Sequence, residues 1–187
     1  MRKITSLLMV MVGVAALGGE IHTAAGRANL ETVKRLIQAN PKLVNEPTIN
    51  GVTPLMFAAR TNTPAAKAVV EFLLANQADP NLTNKLGGTA LQLAAMNQNP
   101  EVVEVLLKNG ANVNYRSDMG NAANCALAKY GKTENIQRVL EVLIAYKVNL
   151  NEVDDNGLSV LDFAKRAGYT DIVAFLKKNG ATKSRLP

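Results

Sequence analysis

Cysteine occurs once in the 187 residues, as Cys125, so the chain cannot close an internal disulfide and must draw its stability from packing. Tryptophan is absent and aromatic residues make up only 4% of the sequence, which rules out a core built on large rings. Ala, Leu and Val recur instead, and small and aliphatic side chains suit closely packed helices. Histidine also occurs once, as His22, and one imidazole without close further ligands cannot make a metal site.

A formal charge of +6 suggests nucleic-acid binding until the charge is located. Arg2 and Lys3 lie at the start, and Lys177, Lys178, Lys183 and Arg185 crowd the end. Six of the 21 basic residues are therefore terminal, and the remaining 15 match the 15 acidic residues. No basic stripe runs through the interior to release counterions from many phosphates, so nucleic acid is excluded as the expected partner.

Met1-Arg2-Lys3 is followed by the uncharged apolar run from Ile4 to Leu17 and then by small residues. This order reads as a secretory signal peptide over 1–18, with cleavage after Ala16 or Gly18. The run is shorter than the roughly 20 residues a spanning helix needs. A periplasmic or secreted protein is the expectation, and the short leader and missing disulfides favour a bacterial source. An uncleaved leader would instead make the chain a membrane-tethered assembly or immunity factor.

Aligned on itself, the sequence divides into five units. Apolar residues early in each unit fall at Ile21, Leu55, Leu91, Cys125 and Leu161, and late ones at Leu36, Leu73, Leu106, Leu143 and Leu176. The units run approximately over 20–47, 48–82, 83–115, 116–151 and 152–183, with a tail at 184–187. The second and fourth carry about three extra residues, placed around Thr61–Ala66 and Tyr130–Asn135. Thr53, Thr89 and Ser159 can cap first helices, and Pro54 fits a first helical turn because its missing N–H is not needed there. The Ala pairs 58–59 and 94–95 allow close helix approach, while Gly110 and Gly180 end second helices. Gln77 and Lys147 stand where a helix-ending glycine would be expected.

A period near 34 residues also suits tetratricopeptide repeats, so residue types decide. GVTPLMFAA at 51–59, GGTALQLAA at 87–95, EVVEVLLKNGANVN at 101–114 and DIVAFLKKNGA at 171–181 resemble ankyrin repeats. The resemblance spans roughly Glu20 to Lys183. It implies an all-α repeat solenoid of five ankyrin repeats, helix pairs joined by short β-hairpin or turn connections. It also implies a protein-binding scaffold with no catalytic activity and no cofactor, and a monomer is expected.

Reactive pairs are scattered across units. Cys125 lies three units from His22, on the order of 30 Å at about 10 Å per neighbouring helix, so a Cys–His pair is excluded. Ser159 is further still. ALAKYGKT at 126–133 matches a phosphate-binding loop except that Ala126 replaces the first glycine, and no strand precedes it; the residues before Gly131 read as helix. Asp154-Asp155-Asn156-Gly157 lacks the later bidentate Glu of a calcium loop and reads as a hairpin tip.

In ankyrin proteins the partner lies along the concave face, made from hairpin tips and the exposed ends of first helices. Carried over one at a time, those positions are Ile49, Asn50, Val52 and Arg60 in the second unit and Lys85, Leu86, Met96 and Asn97 in the third. The fourth contributes Met119 and Tyr130, and the fifth Asp155, Asn156, Leu158 and Arg166. Ile49, Val52, Leu86, Met96, Met119, Tyr130 and Leu158 would make this strip apolar for a surface, and such patches mark protein contact.

Overall fold

The computed structural model describes residues 19–129 and 131–186, so the leader reading over 1–18 and the site reading at Tyr130 lie outside the described residues. Helix α1 occupies 19–26 of these. Then come α2 (Leu30–Ala39), a 3-10 turn (Pro41–Asn45), α3 (Pro54–Ala59), α4 (Pro64–Ala75), α5 (Ala90–Met96) and α6 (Pro100–Lys108), followed by α7 (Ala122–Ala126), α8 (Thr133–Ala145), α9 (Val160–Arg166) and α10 (Thr170–Lys178). First helices α3, α5, α7 and α9 contact one another along one layer, and α2, α4, α6 and α8 along a second. No described helix is long and apolar enough to cross a membrane.

First helices of five to seven residues are too short to hold in water alone, since nucleation outweighs so few hydrogen bonds. Caps and packing make them possible. The hydroxyls of Thr53, Thr89 and Ser159 accept from the N–H groups of Met56, Gln92 and Asp162, and Asn121 plays the part in the fourth unit. Each cap is worth about 1 kcal/mol. Ala58, Ala59, Ala94 and Ala95 are fully buried, so neighbouring helices meet without an intervening side chain. Nine of the ten apolar landmarks are core leucines or isoleucine in the stacked register, but the fourth unit differs. Counted from the N-cap, Ala123 stands where Leu55, Leu91 and Leu161 stand, and Cys125 lies two residues further on. Asn121 follows Gly120 directly, whereas one residue separates glycine from cap in units two, three and five.

The extra residues of the longer units enter mainly as helix. α4 and α8 have 12 and 13 residues against nine in α6 and α10, close to one additional turn.

The expected β-hairpins do not form. Among the described residues there is no β-strand, only isolated bridges at Ser117–Gly120 and Val153–Ser159. Each connection is a tight turn closed by two backbone bonds, such as Gly51 N–H to Thr48 O at 2.8 Å and Thr48 N–H to Val52 O at 3.0 Å. The second and third turns meet through a single bond, from Lys85 N–H to Asn50 O at 3.0 Å, and the fourth and fifth through another, from Asp155 N–H to Asp118 O at 2.9 Å. At most one bond per junction cannot propagate a ladder.

Asparagine side chains tie the units instead. The Asn45 carboxamide donates to Gln77 O and accepts from Asp79 N–H. Asn81 does the same with Gly110 and Asn112, Asn114 with Lys147 and Asn149, and Asn151 with Gly180 and Thr182. In every case the accepting carbonyl belongs to the left-handed residue that ends the next second helix. Gln77 (φ +69°) and Lys147 (φ +65°) adopt that conformation without being glycine.

Candidate partner-binding face

The tip turns and the ends of the first helices share a recess. Asn50 and Val52 from the second turn, Arg60 from the end of α3, Asn84, Lys85 and Leu86 from the third turn, and Leu93 from α5 line a cleft of about 420 Å³. Five of these seven were expected from sequence; Asn84 and Leu93 were not. Leu93 is half-buried against the core. Asn84 shapes the turn, its carboxamide oxygen accepting from Leu86 N–H and Gly88 N–H, both at 2.9 Å. Gly51 fixes how closely the two turns approach: it holds φ +74°, and a Cβ there would lie 3.2 Å from Asn84 Cα and Lys85 N.

Exposure divides the expected apolar strip. Ile49 (86%) and Leu86 (82%) project almost fully into solvent, and Met119 is 37% exposed. Met96 and Val52 are half-buried against the core. Leu158, expected on the surface, is buried at 7% and does not belong to the strip. It follows Gly157, and its N–H donates to the Asp154 carboxylate at 2.8 Å, which turns the chain back into the stack. Asn97 is half-buried, its carboxamide donating to Leu93 O and its oxygen 3.5 Å from Lys129 Nζ.

In the fifth unit Asn156, Leu158 and Arg166 border a second cleft of about 460 Å³, completed by Arg185 and Leu186. Asp155 is engaged by Arg116 at 2.5 Å. The segment after Ala181 is anchored by Asp162, the residue at the third position of α9. Its Oδ1 accepts from Ser184 Oγ (2.6 Å), Arg185 N–H (2.9 Å) and Leu186 N–H (3.0 Å), while Oδ2 accepts from Ser159 N–H (2.9 Å) and Oγ (3.0 Å). Burial works to raise this carboxyl's pKa, but the donors, led by Ser184, outweigh it and hold it down at about 2. The same helix position in the third and fourth units carries Gln92 and Asn124, whose amides reach Gly120 O and Leu158 O of the following turn. Residues 183–186 thus occupy the place that a following turn takes elsewhere.

The chemically suggestive residues have packing duties. His22 is buried, its Nε2 2.8 Å from Glu46 O and its ring 5.3 Å from that of Phe57. Cys125 is fully buried, and loss of water pushes its thiol up to about 12. In the segment that resembles a phosphate loop, α7 stops at Ala126, earlier than expected, and a Cβ on Gly131 would run into the Gln98 carboxamide. That glycine makes room for a neighbour. Asp154 is buried and accepts from Asn156 N–H and Leu158 N–H within its own turn. No group of three or more His, Cys, Asp or Glu that could hold a metal occurs among the described residues.

Comparison with known proteins agrees with this architecture. A family model described as ankyrin repeats (3 copies) matches residues 21–117, just over half of the chain. An ankyrin repeat protein of fowlpox virus (strain NVSL) is 31% identical over 156 residues, covering 82% of this chain and 45% of the viral protein. The neurogenic locus notch homolog protein 1 of Mus musculus is 31% identical over 153 residues, 81% of this chain and 6% of the relative. The ankyrin repeat, SAM and basic leucine zipper domain-containing protein 1 of Gorilla gorilla gorilla is 31% identical over 107 residues, 57% of this chain and 22% of the relative. The chain spans less than half the length of each of these relatives. It belongs to the ankyrin-repeat family, whose domains are non-catalytic scaffolds that generally bind other proteins.

Proposed function

We propose that this chain is an exported scaffold that holds a partner protein along the face formed by its tip turns and first-helix ends. The observation that carries the reading is the pair Ile49 and Leu86, large apolar side chains left almost fully in solvent on adjacent turns. Water penalises such exposure by about 25 cal/mol per Å² of apolar area, and a partner that covers both recovers it. Export rests on the basic start and apolar run over residues 1–17.

The test uses two baits, the parent chain and Ile49→Glu/Leu86→Glu, whose altered side chains are exposed and should leave folding intact. A protein crosslinked to the first and lost from the second supports the face as a binding site. Equal recovery by both baits, or none by either, removes that support. Export is tested separately by N-terminal sequencing of the protein recovered from the periplasm of an expressing bacterium; a chain beginning at Leu17 or Gly19 is the expected product, and an intact Met1 would favour the tethered reading.

A further inference from the structure

The cleft between the second and third units is charged as well as apolar. Arg60 and Lys85 line it from opposite elements, and both are exposed. Neither forms an ion pair among the described residues; the Arg60 guanidinium lies 6.0 Å from the centre of the Phe57 ring. No acidic residue occurs in 48–60 or 84–97, the stretches that build the two turns and α3 and α5. Acidic side chains of the neighbouring second helices are already matched there: Glu71 with Lys67, Glu104 with Lys108, and Glu101 with Arg138. On the later turns, Asp155 is held by Arg116. The fifth-unit cleft also carries two arginines outside the ion pairs, Arg166 and Arg185, but its Leu158 is buried, whereas here the unbalanced positive charge stands beside the almost fully exposed Leu86.

Resting on the reading of this face as a docking surface, we infer that the cleft takes an acidic and apolar segment of the partner protein, an extended stretch in which Asp or Glu flanks a Leu-, Ile- or Phe-sized side chain. The apolar group covers Val52, Leu86 and Leu93, and the carboxylates meet Arg60 and Lys85. A cleft of about 420 Å³ falls within the roughly 300–1,000 Å³ range of small binding pockets. Complementary charge at the rim would speed encounter and set register, while the apolar contact supplies the area. Nucleic acid fits less well: two cations separated by aliphatic side chains neutralise too few phosphates, and no aromatic platform for base stacking lines the cleft.

A random peptide library displayed on phage and selected on the immobilised full chain tests this, with enriched peptides synthesised, labelled and titrated by fluorescence anisotropy. The proteins titrated are the parent, Arg60→Glu/Lys85→Glu, Leu86→Glu and the distant exposed control Lys178→Glu, each checked for helicity by circular dichroism. The expected result is enrichment of carboxylates next to large aliphatic or aromatic residues. Binding should weaken about tenfold or more in the double charge reversal and in Leu86→Glu, weaken with added salt, and be unchanged in Lys178→Glu. Enriched peptides that lack carboxylates yet still need Leu86 would overturn the acidic chemistry and leave the docking face standing. Peptides indifferent to every cleft change, or no enriched peptide, would overturn both. A thymidine oligonucleotide bound as tightly as the peptides and lost in the same variants would overturn the inference in favour of nucleic acid.

Discussion

Asn114→Ala removes the side chain that ties the third unit to the fourth. Its carboxamide donates to Lys147 O at 3.2 Å and accepts from Asn149 N–H at 2.7 Å. Both bonds lie at the exposed edge of the stack, so water can replace them and each contributes its net value, about 0.5–1.5 kcal/mol, or about 1–3 kcal/mol for the pair. A further effect comes from Lys147, which holds φ +65° and carries a Cβ. That conformation costs on the order of 1 kcal/mol, and the bond from Asn114 helps to hold it. In the Asn114→Ala background, Lys147→Gly should therefore return about 1 kcal/mol. The equivalent change at Asn81 offers no such rescue, because its partner is already Gly110 at φ +83°. With no tryptophan to follow, urea unfolding is monitored by circular dichroism at the helical band. The slope matters as much as the midpoint, since weakening one junction of a repeat array lets its halves unfold separately and lowers the apparent slope. If Asn114→Ala stays within about 0.5 kcal/mol of the parent at unchanged slope, or if Lys147→Gly brings no recovery, the asparagines do not hold the stack together.

Leu106→Ala, in the fully buried side of α6, should destabilise by about 2–5 kcal/mol in the same assay, whereas Lys85→Ala should be neutral for folding; equal effects would mean the packing register is wrong. Asp162 makes acid stability measurable: its folded pKa is depressed to about 2 from 3.8, so its stabilisation is complete above about pH 5 and is lost as pH falls through 4 towards 2. That loss amounts to about 2–3 kcal/mol, and Asp162→Asn should be less stable at pH 7 and lack this part of the acid dependence; an unchanged acid profile would refute the anchoring role. Cys125, buried with its thiol pushed up to about 12, should react with a disulfide reagent at pH 8 at least about a hundredfold more slowly in the folded chain than in urea, and equal rates would show that the fourth unit opens readily.

Much of the repeat was legible because its signals are local. A threonine before a short apolar run, a proline at the first helical turn and paired alanines each have one physical use, and Thr53, Pro54, Ala58 and Ala59 are found in that use. What could not be read depends on a partner in another unit. The asparagines at 45, 81, 114 and 151 recur near the repeat period, but nothing in the chain's own spacing says that each carboxamide faces the left-handed turn of the following unit. The β-hairpin expectation failed for a related reason. Turn residues were identified correctly, but whether a turn extends into a ladder depends on the number of bonds between neighbours, and at most one backbone bond joins any two neighbouring turns among the described residues. The fourth unit was misregistered because Cys125 looks like a core landmark and is buried like one, while the cap that defines the helix start is Asn121, a residue away from its counterparts.

The binding face was legible in position and not in exposure, and the tip glycines explain the difference. Gly51, Gly87, Gly120 and Gly157 share a left-handed conformation, so the residue before each points out of the stack and the residue after it returns. Asn50, Leu86, Met119 and Asn156 precede these glycines and are exposed; Val52, Gly88, Asn121 and Leu158 follow them and are half-buried or buried. Apolar character alone could not separate Leu86 from Leu158, but their placement on either side of a glycine does. Exposure also localises the face. Of the strip expected from sequence, the strongly exposed apolar residues left are Ile49 and Leu86, both at the second and third turns, while the fifth turn presents Asn156 and an Asp155 already engaged by Arg116. The two uncompensated cations of the cleft stand at the same junction. Apolar exposure and unbalanced charge therefore converge on one place for independent reasons, one from chain geometry and the other from residue distribution. Packing within the stack requires neither, which is the argument for a partner there.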